Sequence, residues 1–213
     1  MKKALLAGTC WMVLCLLSVC ALGEYTPRGV NEKERYNINL FLSNFSETGM
    51  TFYSAERYTD EQLVDFAIFH TWYNRQDRIE RGQWGGDHCR MSDEYVTEIT
   101  EKYFGKAPAS LLPSKIRYTD GYYYWQTTGG YMGMGLACMS HVEDMGDGCY
   151  GIYFGCYGEG EFWSADDCHL RPEQAAKRFS DSPVHAGYAV IDTNSGTLED
   201  RSAWTLEQYD TML

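Results

Sequence analysis

Apolar residues recur at helical spacing up to Phe104 and at strand spacing beyond Pro113, and this change of period restricts the chain to few architectures. Thr59 followed three residues later by Gln62 is a capping-box pattern, and Asp60 and Glu61 suit the positive end of a helix dipole. Leu63, Phe66, Ala67 and His70 then repeat at i, i+3, i+4, i+7 and predict one buried face, with His70 as a core histidine. Ser92, Asp93 and Glu94 start a second helix; Val96, Ile99, Tyr103 and Phe104 form its apolar face, and Gly105 suits a left-handed stop. The apolar segment 37–45 (NINLFLSNF) predicts a helical turn or two, whereas the Gly-rich stretch 82–90 reads as a loop. Strands are predicted over 121–128, 133–143, 149–159, 187–192 and 203–209, interrupted by one short helix over 172–179 with Pro172 near its first position. Helices first and strands afterwards predict an α+β fold, with N-terminal helices packed on a C-terminal antiparallel meander of about four to six strands. One domain over residues 37–213 accommodates it.

The N-terminus reads as an export signal over residues 1–23: Lys2 and Lys3, an uncharged run over 4–22, and small residues at Ala21 and Gly23. Two other outcomes stay open. The run is long enough for an uncleaved membrane anchor, and Leu17-Ser18-Val19-Cys20 resembles a bacterial lipoprotein box with Cys20 lipidated, although Val19 stands where Gly or Ala is usual. Each places the domain outside the cytoplasm, touching the membrane only through this segment. Residues 24–36 are polar, hold Pro27 and Gly29, and read as a tether.

Thirty Asp and Glu stand against 18 Lys and Arg, a formal charge of −12. Such a chain repels phosphate backbones and anionic lipid surfaces, so nucleic acid is excluded as a partner. Without Lys2 and Lys3 the charge is about −14, and from Val142 onward fourteen acidic residues face four basic ones.

Three of the eight cysteines lie in the export segment; the remaining five, Cys89, Cys138, Cys149, Cys156 and Cys168, cannot all pair within one chain. Met145-Gly146-Asp147-Gly148-Cys149 suits a hairpin with a three-residue loop. Pairing Met145 with Cys149 sets Cys138 opposite Cys156, with Leu136, Cys138 and Val142 on one face, and predicts the two as core neighbours, joined by a disulfide in an oxidising compartment or else left as two free buried thiols. Asp87-His88-Cys89-Arg90 and Asp166-Asp167-Cys168-His169 read first as two unrelated loop cysteines; if the segments meet, they suggest a Cys89–Cys168 disulfide or, less suitably, a Cys₂His₂ zinc site, because adjacent His and Cys side chains point apart in an extended chain. No metal or cofactor is expected. Asp192-Thr193-Asn194-Ser195-Gly196 lacks the distal glutamate of a calcium loop and reads as a turn.

No nucleophile elbow, phosphate loop or metalloprotease helix is present, and no catalytic residue stands out. The aromatics at 122–125, Tyr131, Tyr153, Tyr157, Trp163 and Trp204 could supply a stacking platform; the hairpin register sets Tyr153, Tyr157 and His141 on one outward face, the candidate ligand-binding residues.

The export signal, the segment 39–47 (NLFLSNFSE), the helix ending 99–106 (ITEKYFGK) and the strand 120–125 (DGYYYW) together resemble a group of uncharacterised exported or lipoprotein-like domains of Gram-positive gut clostridia. The resemblance covers most of the chain from Tyr36 on and implies location and one-domain architecture, with no reaction attached. The element order is also similar to cystatin-like and nuclear-transport-factor-like cones, which carries no function. The expected function is an exported binding module for an extracellular protein, peptide or glycan, with a carboxylate-dependent glycoside hydrolase or an exported metal-binding protein as alternatives.

Overall fold

Both predicted helices form where their end signals stand. The structure, a computed structural model, describes residues 26–111, 116–126, 135–179, 182–194 and 196–212; residues 1–23, expected as an export signal and including Cys20, and Tyr131 lie outside them. Helix α1 runs Glu32–Ser46, α2 Asp60–Asn74, α3 Asp93–Phe104 and α4 Pro172–Arg178. The α2 capping box closes both ways: Thr59 Oγ1 accepts from Gln62 N at 3.2 Å, and Gln62 Oε1 accepts from Thr59 N at 2.9 Å. Gly105 ends α3 at φ 66°. No helix among the described residues is long and apolar enough to cross a membrane.

The fold is α+β with two antiparallel sheets. The larger has the order β1 (Thr26–Pro27), β7 (Leu136–Gly146), β8 (Cys149–Tyr157), β9 (His185–Asp192), β10 (Thr205–Met212), β2 (Phe52–Ser54), so the predicted meander forms its centre. The smaller has the order β3 (Glu80–Trp84), β4 (Asp87–Ser92), β6 (Tyr122–Trp125), β5 (Arg117–Thr119). The stretch expected as a loop is therefore the β3–β4 hairpin, turned by Gly85 and Gly86 at positive φ. Its exposed β3 residues give no alternating apolar signal. The main core joins α1, α2 and α3 to the inner face of the large sheet, with Met91 and Tyr123 entering from the small one.

The expected tether is part of the fold over residues 26–36. Thr26 and Pro27 pair with Asp144 and Glu143 of β7, Arg28 N donates to Val142 O at 2.9 Å, and α1 starts at Glu32 behind an Asn31–Glu34 capping box. Polar residues here serve a strand edge and a helix start.

Helix α1 also completes the rest of that edge. Asn39 Oδ1 accepts from Met139 N at 2.8 Å, Ser43 Oγ accepts from Ala137 N at 3.0 Å, and Ser46 Oγ donates to Gly135 O at 2.5 Å. The geometry is commensurate: four helical residues rise about 6 Å and two strand residues about 6.7 Å. Side chains at i, i+4 and i+7 of the helix thus meet every second residue of the strand, and an edge that would otherwise offer open hydrogen-bonding groups is closed. Asn39 Nδ2 also donates to Cys168 O at 2.9 Å and Leu170 O at 3.1 Å, so one carboxamide ties β7 to the 3-10 turn Ala165–His169.

The hairpin register departs from expectation at two bulges. Asp147 and Gly148 have φ 52° and 82°, a two-residue type I′ loop closed by Gly146 and Cys149. The predicted pairs hold from Asp144–Tyr150 to His141–Tyr153, and a shift at Ser140 then sets Cys138 opposite Gly155 and Ala137 opposite Cys156. Cys156 consequently faces the main core, whereas Cys138 joins Leu136, Tyr157 and Cys168 in a small cluster on the other face, under α4.

Candidate functional site

The expected disulfides are absent: Cys89, Cys138, Cys149, Cys156 and Cys168 are all free thiols. The Ser140 bulge separates Cys138 from Cys156 across the sheet. Cys89 lies on β4 of the small sheet, whereas Cys168 lies in the turn on the outer face of the large one, so neither a Cys89–Cys168 bond nor the zinc constellation with His88 and His169 is assembled. Among the described residues no group of three or more His, Cys, Asp or Glu side chains is placed to hold a metal ion. Burial pushes the Cys156 and Cys168 thiols up to about 12 and raises those of Cys89, Cys138 and Cys149. Thiolates being the reactive form, iodoacetamide at pH 8 is expected to label Cys149 first, since it alone of the five is only part-buried, and the other four on unfolding. Peptide mapping checks this; a disulfide-linked peptide among the five contradicts it.

The outward aromatic face is partly as expected. His141 and Tyr153 pack at 5.8 Å between ring centroids, and Tyr153 meets Tyr188 at 4.8 Å. Tyr188 lies over Gly151, where a Cβ would come within 2.4 Å of its hydroxyl, so these rings cover a bare stretch of sheet and make a flat surface. Tyr157 is buried against Leu136, Cys138 and Phe179 and takes no part in an exposed patch, because the Ala165–His169 turn and α4 roof that end of the sheet.

A more enclosed arrangement lies where α1 and α2 end side by side. Glu47 caps α1, its N–H donating to Ser43 O at 2.9 Å, and Asn74 is the last residue of α2. Asn74 Nδ2 donates to Glu47 Oε1 and lies 3.2 Å from His70 Nδ1, one turn back. His70 Nδ1 is itself 3.7 Å from Glu47 Oε1. The imidazole stacks on Phe66 at 5.5 Å and meets Tyr103 edge-on at 4.8 Å. Burial lowers its pKa below the ordinary histidine value, outweighing the pull of Glu47, so the ring is neutral at neutral pH. Glu47, 8% exposed, is thus held by an amide and a neutral ring.

The facing wall is the 160–165 loop. Glu161 N donates to Gly158 O at 2.9 Å; Ser164 N donates to Asp167 Oδ2 at 2.8 Å, and Asp167 N returns to Ser164 O at 2.9 Å. Trp163 packs against the small cluster while Phe162 stands 86% exposed. Because Asn39 anchors the turn that follows, the same side chain that closes the sheet edge sets the height of this wall. Leu40, Glu47, Tyr73, Asn74, Gly135, Glu161, Phe162, Trp163 and Ser164 line the resulting groove, of about 460 Å³. Small-ligand sites span roughly 300–1,000 Å³ and combine apolar walls with a few placed polar groups. Of these residues only Trp163 belongs to the aromatic set singled out in the sequence; Glu47, Tyr73, Asn74 and Phe162 come from segments that carry no shared motif.

The fold and this groove define an α+β protein with an aromatic-walled cleft that holds two carboxylates, Glu47 and Glu161. Comparison with protein-family models, with curated proteins and with solved structures returned no match.

Proposed function

We propose that the protein is a binding module whose ligand sits in the groove between the ends of α1 and α2 and the 160–165 loop. The observation that carries this reading is Phe162, a large apolar side chain 86% exposed at a groove that also holds Tyr73 and Trp163 as walls and Glu47 and Asn74 as polar groups. A ligand with an apolar face and hydrogen-bond donors would cover that aromatic area and meet the acceptors. The module is proposed to work outside the cytoplasm, on the strength of Lys2, Lys3 and the uncharged run behind them, on a protein, peptide or glycan met there.

One observation favours a second reading. Glu47 and Glu161 line the same groove, as the two carboxylates of a glycoside hydrolase flank a scissile bond. Tryptophan fluorescence titrated with a panel of short peptides and oligosaccharides tests both. Binding is expected to be saturable and weakened about tenfold or more by Phe162→Ala, a change of about 1.4 kcal/mol. Binding that Phe162→Ala leaves intact contradicts the groove. Release of reducing ends, lost in both Glu47→Gln and Glu161→Gln, would transfer the protein to the hydrolases.

A further inference from the structure

We infer that the groove selects an organic cation, the ammonium of a lysine side chain carried by a bound peptide. The inference rests on the groove being the binding site and adds the chemistry of its ligand. Three independent features make the groove electronegative.

First, its lining includes Glu47 and Glu161 and no lysine, arginine or histidine. Second, α1 and α2 both present their C-terminal ends there, through Glu47 and through Tyr73 and Asn74. The aligned peptide dipoles give each such end a partial negative charge, which in α1 is reduced because Phe45 O and Ser46 O accept from Met50 N and Gly49 N. Neither helix has a basic residue in its last turn to offset it. Third, the nearest cations on α2 and α3 are engaged, and Arg201, whose charge reaches Tyr103 and Cys168, lies outside the lining. Arg75 is bound at 3.0 Å through both Nε and Nη2 to Asp77, Lys102 Nζ lies over the Tyr103 ring at 5.0 Å, and His70 is kept neutral by burial. Glu47 is met by the Asn74 amide and the His70 ring and by no lysine or arginine side chain, so a cationic ligand adds an ion pair there.

The walls suit the same ligand. Tyr73, Phe162 and Trp163 present aromatic surface on which a cation and its aliphatic stem both gain. Asn74 already occupies Glu47 Oε1, which leaves no free carboxylate edge there for the two-pronged fork of a guanidinium; a compact ammonium needs a single oxygen. The groove is larger than one alkylammonium tail fills, so backbone flanking the lysine has room, and the −12 charge of the chain steers basic segments towards it.

The test is calorimetric titration of the full chain with five probes: acetyl-Gly-Gly-Lys-Gly-Gly-amide, the same peptide with the lysine Nζ acetylated, its arginine counterpart, cadaverine, and cellotetraose. The lysine peptide is expected to bind at least about tenfold more tightly than the acetylated and arginine peptides, and more tightly than cadaverine. Glu161→Gln, on an exposed residue, and the isosteric Glu47→Gln are each expected to weaken it several-fold, with thermal melting of both variants checked against wild type. Equal binding of the lysine and acetylated peptides, or binding of cellotetraose alone, overturns the cation while leaving the groove reading in place if Phe162→Ala still abolishes the signal. Tighter binding of cadaverine overturns the peptide as its source. Lysine-peptide binding indifferent to Phe162→Ala overturns both readings.

Discussion

Asn39→Ala is expected to lower stability by about 3 kcal/mol or more, a large part of the roughly 5–15 kcal/mol that holds a domain together. The side chain makes three hydrogen bonds inside the protein, from Met139 N at 2.8 Å, to Cys168 O at 2.9 Å and to Leu170 O at 3.1 Å, and is itself fully buried. Truncation strands all three backbone groups, and each stranded buried group costs about 1–3 kcal/mol. Asn39→Asp is expected to be no milder, because a carboxylate cannot donate to the two carbonyls. Asn44→Ala is the contrast. Its amide reaches only Leu40 O and Phe41 O of its own helix, so its loss is expected to cost under about 1 kcal/mol. Urea denaturation of the three variants checks the series; an Asn39→Ala midpoint equal to that of Asn44→Ala would mean that α1 does not close the sheet edge.

Phe45→Ala is expected to cost about 3–5 kcal/mol, the range for removing a fully buried phenylalanine. Its ring centroid lies 5.2 Å from Phe41, 4.9 Å from Phe66, 5.8 Å from Tyr103, 5.7 Å from Phe104 and 5.7 Å from Tyr209. Those neighbours come from α1, α2, α3 and β10, so a cavity at Phe45 loosens every layer of the main core at once. Phe52→Ala, at a position 42% exposed on the edge strand β2, is expected to stay within about 1 kcal/mol of wild type. Similar melting temperatures for Phe45→Ala and Phe52→Ala would contradict the placement of the core.

The ends of α2 and α3 were legible because their signals are local. Thr59 needs only Gln62, and Gly105 needs only its own φ. Helix α1 was legible only in its apolar half. Asn39 and Ser43 look like surface residues in a sequence, yet both are fully buried, and the strand backbone they serve lies about a hundred residues away. The same distance hid the Ser140 bulge, which has no local signature and reversed the face of Cys138. A register deduced from the turn held from Asp144–Tyr150 to His141–Tyr153, and failed at the closing pair, which is Gly146–Cys149, and beyond the Ser140 bulge.

The groove was the least legible feature. His70 was recognisable as a buried residue from helical spacing, but its role beside Glu47 depends on two helices ending together. Tyr153 and His141 do meet, as the hairpin predicted, and Tyr157 does not join them because α4 and the preceding turn cover it. On the open part of that face Tyr188 lies over Gly151, which has no side chain to lift it from the sheet.

Two surfaces thus compete for the ligand, and a two-dimensional ¹H–¹⁵N spectrum of the labelled protein separates them. On titration with the lysine peptide, the Trp163 indole, the Asn74 side-chain amide and the backbone amides of Glu161, Phe162 and Ser164 are expected to shift together and saturate at one affinity. Shifts confined to His141, Tyr153 and Tyr188, or none at all, would contradict the groove as the binding site.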